Sequence, residues 1–304
     1  MVSVVLIGAA IAPFVVACTG GDDAGGATEL IVYERRDDQA VNVFTIDPDT
    51  GRTQQLTSGT GFDGHPAWSP DHSRILFASD RERGAAKREL YTMDPDGTDV
   101  TRITTIDATE KWSPKFSHDG ARIGFTLQSG HDHYIAVIDA DGSNLRRLTP
   151  AFQFAEFPAW NPDDSEIFFA AIGTDTQGVD LLAVNVASGA VRTVISTASA
   201  DVCPHFTHDG KHVTYATAPH DDPEGQADIY QHDLTSSDTT GSGDVPLTTD
   251  AGRDDYSSPS HDGKAFVFLS DRDGQTDLYL MNRAGSDVRR LTDTPDAAEN
   301  VPDW

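Results

Sequence analysis

The sequence has 304 residues, with 49 acidic against 22 basic side chains and a formal net charge of −27. A surface of that sign repels nucleic acid and anionic membrane faces, and suits cations, basic peptides or a basic protein face. Two cysteines exclude a disulfide framework, while 38% hydrophobic residues supply ample core for a folded unit.

Residues 1–17 carry no charge and run apolar into Val15-Val16-Ala17-Cys18. An apolar stretch closing on small residues is the layout of a cleaved secretory signal. It is too short for a convincing membrane span. The Val-Val-Ala-Cys ending resembles a bacterial lipobox, which implies a lipid on Cys18. The run departs from the usual signal in having no Lys or Arg ahead of it. Residues 18–27 are Gly- and Asp-rich and read as a flexible tether. Thr19 follows the cysteine, so the aspartate that keeps some lipoproteins in the inner membrane is absent. This points to an anchor in the outer membrane or on the periplasmic face.

From residue 28 to 304 one block recurs: proline, any residue, an aromatic, Ser or a relative, any residue, then Asp. It stands as Pro66-Ala67-Trp68-Ser69-Pro70-Asp71, Pro114-Lys115-Phe116-Ser117-His118-Asp119-Gly120 and Pro158-Ala159-Trp160-Asn161-Pro162-Asp163. It returns as Pro204-His205-Phe206-Thr207-His208-Asp209-Gly210, as the degraded Ser257-Ser258-Pro259-Ser260-His261-Asp262-Gly263, and in Pro302-Asp303-Trp304. The aromatic position falls at 68, 116, 160, 206, 259 (a proline) and 304, spacings of 48, 44, 46, 53 and 45. A second marker keeps phase with it: Leu56-Thr57, Ile103-Thr104, Leu148-Thr149, Leu247-Thr248 and Leu291-Thr292, with Val194-Ile195 in the fourth unit. A fixed period of this length signals a repeat architecture.

Each unit reads as four strands: the proline–aromatic strand, two alternating runs such as Arg74–Ala78 and Glu89–Met93, and the Leu-Thr strand. Asp94-Pro95-Asp96-Gly97 and Asp139-Ala140-Asp141-Gly142 are hairpin turns whose glycines accept positive φ. No helical period appears in residues 28–304. Four strands per unit of about 45 residues is the propeller-blade pattern, and the count predicts an all-β, six-bladed β-propeller. The first unit starts at its second strand, Glu29–Tyr33, and Asn300–Trp304 supply the strand it lacks. The last strand should therefore close the first blade and remove the free edge.

The proline–aromatic–Ser–Pro–Asp–Gly repeat resembles that of the TolB propeller family, over essentially residues 28–304. The resemblance implies a fold used for protein docking, as an accessory domain of peptidases, and occasionally as an enzyme. Two departures separate this chain from TolB itself: the propeller follows the tether with no α/β domain ahead of it, and the Cys18 motif implies lipidation. No Gly-x-Ser-x-Gly elbow and no nucleophile–base constellation occur, so neither catalytic residues nor a cofactor is expected.

Loops entering the blades carry an acid near constant phase: Asp63, Glu110, Glu156, Asp201, Asp254 and Glu299. They are read as an acidic rim around one channel mouth, fit for an envelope protein or basic peptide, against the alternative that they cap turns. Loops 79–88 and 218–227 vary between blades, as a binding surface on a rigid scaffold does. A Ser/Thr/Gly-rich insertion at 235–244 lengthens the fifth unit on the opposite face. His118, His208 and His261 are turn residues of separate blades and are not expected to meet at a metal. His131 and His133 make a two-ligand loop, too few for a zinc site, and Asp94–Asp99 lacks the distal glutamate of a calcium loop. Cys203 reads as a small buried side chain. The expectation is a monomeric, lipid-anchored, non-catalytic envelope propeller that binds another protein or peptide, without metal or nucleic acid. The alternative is a metal-dependent lyase or hydrolase acting on a polysaccharide, with His65, Glu110 and His205 meeting at the channel mouth.

Overall fold

A computed structural model describes residues 29–82, 87–106, 110–172, 178–219 and 225–304. The expected leader at residues 1–17, Cys18 and the expected tether lie outside the described residues. In chain order the strands are β1 (Ile31–Arg36), β2 (Val41–Ile46) and β3 (Thr53–Gln55). Then come β4 (Asp63–Trp68), β5 (Ile75–Ser79), β6 (Glu89–Met93) and β7 (Thr101–Arg102). The third unit holds β8 (Glu110–Phe116), β9 (Arg122–Ser129), β10 (Asp132–Asp139) and β11 (Arg146–Arg147). The fourth holds β12 (Ala155–Trp160), β13 (Glu166–Ile172), β14 (Val179–Asn185) and β15 (Val191–Ile195). The fifth holds β16 (Ser199–Phe206), β17 (His212–Pro219), β18 (Asp228–Asp233) and β19 (Val245–Pro246). The last contains β20 (Asp254–Pro259), β21 (Ala265–Ser270), β22 (Asp277–Asn282) and β23 (Arg289–Arg290), followed by β24 (Ala298–Asp303).

These strands form six four-stranded sheets, and β24 pairs antiparallel with β1 to complete the first. Residues of β4, β8, β12, β16, β20 and β24 line one central space, so those six strands are innermost. The fold is the closed six-bladed propeller that the repeat predicts.

The core is divided among the six seams between blades. Val32 and Val43 of the first blade pack with Trp68 and Phe77 of the second. Ile31 and Tyr33 pack on the other side with Val267 and Leu278 of the sixth. Each blade is thus covered on both faces, which explains why β5 and β6 are buried at every position and do not alternate.

Both repeat markers have a hydrogen-bonding reason. The Leu-Thr threonine lies just past each short outer strand. Its hydroxyl accepts the third-strand amide: Val43 to Thr57, 2.9 Å; Leu90 to Thr104, 2.9 Å; Ile135 to Thr149, 3.0 Å; Ile229 to Thr248, 2.9 Å; Leu278 to Thr292, 2.9 Å. The fourth blade has Ile195 there, and its β14–β15 ladder shifts register at that point. The Ser and Asp of the turn close a local ring, with the Ser69 hydroxyl donating to Asp71 at 2.7 Å and accepting the Arg74 amide at 2.9 Å. Gly142 is required in its hairpin, because at φ +86° a Cβ would lie 2.1 Å from the Ile103 carbonyl of the neighbouring blade.

Candidate functional site

All six innermost strands bulge at the residue before the proline position. His65, Ser113, Phe157, Cys203, Tyr256 and Val301 have φ between +44° and +58°, and each ladder shifts register there. A β-branched residue such as Val301 adopts positive φ only under tertiary constraint. The following proline fits because a bulge on a strand edge needs no ladder donor. The six bulges converge on a waist of about 20 Å³, room for one water. Above it, on the face where the innermost strands begin, opens a cavity of about 520 Å³.

That cavity is two-sided. Phe154, Phe157, Val179, Val202 and Ala218 of the fourth and fifth blades make an apolar wall. Arg253, Asp255, Glu299, Asn300 and Arg36 of the sixth and first face it. Arg253 Nε donates to Asp255 Oδ2 at 2.8 Å, and burial lifts the Asp255 carboxyl to about 6 against the pull of Arg253.

Asp63, Asp201, Asp254 and Glu299 share one register, opposite Ser79, Thr217, Ser270 and Arg35. Lys111 and Ala155 hold that register in the other two blades. Glu110 and Glu156 stand one residue to either side, which turns their side chains to the opposite blade face.

Most of the acids are held by local partners. Arg81 Nη2 lies 3.0 Å from Asp63 and Arg272 Nη2 lies 2.9 Å from Asp254, while Arg35 Nε lies 2.9 Å from Glu299. Arg88 reaches Glu110 at 3.4 Å, and the Thr197 hydroxyl donates to Asp201 at 2.9 Å. The first three arginines also stack on aromatic pairs: Arg35 on Tyr33 and Phe44, Arg81 on Phe77 and Tyr91, Arg272 on Phe268 and Tyr279. The mouth thus carries arginines among its acids. The repeated tripeptides Ser79-Asp80-Arg81 and Ser270-Asp271-Arg272 were the sequence signal for two of these clamps.

Glu156 differs, because only the His133 ring lies beside it, Nδ1 at 3.8 Å, and burial lowers that imidazole. Burial pushes its carboxyl up to about 7. A carboxyl with a raised folded pKa stabilises the protein below its unfolded value near 4.5 and loses that contribution as pH rises through 7. Glu156→Gln should therefore match wild type at pH 4 and exceed it at pH 8 by about 2–3 kcal/mol. Urea unfolding at the two pH values checks this; parallel curves for both proteins would refute it.

His65 and His205 both line the waist, where burial lowers both imidazoles, His205 to about 4. Glu110 stays with Arg88 at the mouth. Among the described residues no three His, Cys, Asp or Glu side chains are grouped to hold a metal. The turn histidines approach more closely than separate blades suggest. His208 and His261 have ring centroids 5.8 Å apart, and His261 and His72 lie at 6.1 Å. His118 instead bonds to Asp164 at 3.0 Å. Asp94–Asp99 is a hairpin turn, closed by the Asp94 amide donating to the Thr98 carbonyl at 2.8 Å. Cys203 is buried, and burial pushes its thiol well up. Of the two variable loops, residues 83–86 and 220–224 lie outside the described residues.

A ring of six four-stranded blades, pinched at its centre, defines a closed β-propeller. The family model described as the TolB beta propeller domain matches residues 24–184, and the chain belongs to that family. TolB from Acinetobacter baumannii has the same fold, with a TM-score of 0.75 at 18% identity, covering 90% of this chain and 66% of that one. The Tol-Pal system protein TolB of Francisella tularensis subsp. mediasiatica is 27% identical over 185 residues, 61% of this chain and 42% of that protein. Dipeptidyl-peptidase 5 of Porphyromonas endodontalis is 26% identical over 249 residues, 79% of this chain and 34% of that protein. The chain spans less than half the length of the curated relatives it matches.

Proposed function

We propose that this chain is a non-catalytic binding propeller of the bacterial cell envelope, held outside the cytoplasm by a lipid on Cys18. Its partner is an envelope protein or peptide that seats an apolar side chain in the mouth cavity. The observation that carries this reading is the cavity of about 520 Å³, with an apolar wall facing the Arg253–Asp255 pair. A recess of that size with few convergent polar groups is the usual form of a ligand site. The net charge of −27 favours a partner segment with basic residues, since long-range attraction raises the rate of encounter. The rim acids Asp63, Glu110, Glu156, Asp201, Asp254 and Glu299 contribute to that field, and arginines hold Asp63, Glu110, Asp254 and Glu299 in place. Membership of the TolB propeller family supports a docking role.

The test is capture from detergent-solubilised envelope by wild type, by Val202→Trp, and by a variant with all six rim acids neutralised. Val202→Trp puts an indole into the cavity from β16. A partner held by wild type and lost with Val202→Trp supports the reading. Loss only with the six-acid variant would move the contact to the rim. Equal recovery by all three would move it off this face, and no partner for a folded bait would sink the docking role.

A further inference from the structure

The fifth blade breaks the repeat in two places at once. Its third strand carries His232 where the other blades bury Ile46, Met93, Ile138, Val184 and Met281, the positions paired with the second strand in the same register. Its third-to-fourth connection carries the insertion at 235–244, which sets Asp244 beside that histidine. His232 Nδ1 and Asp244 Oδ1 are 2.7 Å apart with both side chains buried, and the Tyr215 hydroxyl donates to Asp244 Oδ2 at 2.7 Å. A polar network costs more than an aliphatic side chain in a seam that five blades fill with hydrocarbon. Pinning a loop does not require it, since Asp238 already ties the insertion together. Its carboxylate accepts the Thr240 amide at 2.9 Å and the Ser242 hydroxyl at 2.7 Å.

His232 also lines a cavity of about 290 Å³ between the fourth and fifth blades, on the face opposite the channel mouth. In the neutral imidazole, a carboxylate on Nδ1 fixes the Nδ1–H tautomer and leaves Nε2 as an acceptor. The insertion contributes Ser236 and Ser237 to the rim, and Phe206 adds an apolar surface. Arg192 grips Glu166 through two bonds of 3.1 and 2.7 Å, so those two charges cancel, and the Asp238 carboxylate that also lines the cavity leaves it net negative. The space holds about ten water-sized atoms.

We infer that this cavity is a second ligand site, and that it takes a neutral polyhydroxylated molecule of monosaccharide size. A ligand hydroxyl hydrogen-bonds to His232 Nε2, the serines supply further hydrogen bonds, and the carbon face of the ring lies against Phe206. With Arg192 and Glu166 paired, the Asp238 carboxylate disfavours anionic ligands. This site is independent of the channel mouth and stands or falls without it.

The experiment is an NMR titration of the 15N-histidine-labelled full chain with glucose, N-acetylglucosamine and, as a charged control, glucuronate. Millimolar neutral sugar should move the His232 Nε2 resonance saturably, with at least fivefold weaker response to glucuronate. His232→Met restores the residue of the second and sixth blades and should abolish binding followed by calorimetry. Ser237→Trp, on the exposed rim, should weaken binding at least tenfold while leaving the His232–Asp244 resonances in place. This second variant keeps the test valid where His232→Met fails to fold. A His232 signal indifferent to both sugars, or sugar binding unchanged in Ser237→Trp, overturns the proposal and leaves the network a structural tie.

Discussion

Deletion of residues 299–304 should leave a chain with no cooperative thermal transition at 25 °C, followed by circular dichroism. These residues are most of β24, the strand that completes the first blade against β1. Their loss removes Glu299 from Arg35 and Thr294. It also takes the Asp303 carboxylate from the Trp68 amide at 2.7 Å and from the Lys115 ammonium. Trp304 packs into the seam between the first and sixth blades with Ile31, Tyr33 and Val267. A large aromatic removed from a packed seam costs about 3–5 kcal/mol, and each buried group left without its partner adds about 1–3 kcal/mol. Together these reach the whole stability of an ordinary domain, about 5–15 kcal/mol. The opened ring would also expose two strand edges, so aggregation should accompany the loss. A truncated protein melting within a few degrees of wild type would show that the ring is held elsewhere.

Lys111→Met should lower unfolding free energy by about 3–5 kcal/mol, the range for breaking a buried ion pair from one side. Lys111 is 0% exposed in the register where four blades carry an acid. Its ammonium lies 3.1 Å from Glu89 of the neighbouring blade and donates to the Ile106 carbonyl at 2.7 Å. Glu89 is 1% exposed and also meets Arg102 at 3.2 Å. Methionine keeps the volume and removes the charge, so the carboxylate stays buried with less compensation. The double variant Lys111→Met/Glu89→Gln should recover part of the loss, because the stranded charge goes with its partner. Urea unfolding of the three proteins measures it. A single variant within 1 kcal/mol of wild type would contradict a structural ion pair at this seam.

The proline–aromatic and Leu-Thr markers were legible because each solves a local problem that every blade repeats. The turn needs its Ser–Asp ring, and the outer strand needs a hydroxyl for the third-strand amide. A requirement set by neighbours close in sequence leaves a periodic trace. For the same reason the sequence alone determined the blade count, the all-β class and the closing strand.

The site was only partly legible. Phase picked out six acids, but a one-residue offset is invisible in a loop and decisive in a strand. Glu110 and Glu156 fall on the other face from Asp63, Asp201, Asp254 and Glu299. The arginines that answer them come from the ends of second strands or the start of a third, and aromatic stacking places them. The six bulges that pinch the channel lie at residues as unlike as His65, Ser113 and Val301, so no residue type announces them. Nor does the run containing His232 disclose that it occupies a seam position, or that Asp244 folds back onto it. What the sequence determined by itself was the repeating local chemistry, because short-range hydrogen bonds and alternation are written residue by residue. What only the tertiary structure decided was which side chains share a face, a seam or a cavity. Those meetings depend on register and closure of the whole ring, across separations as large as the 264 residues between Arg35 and Glu299.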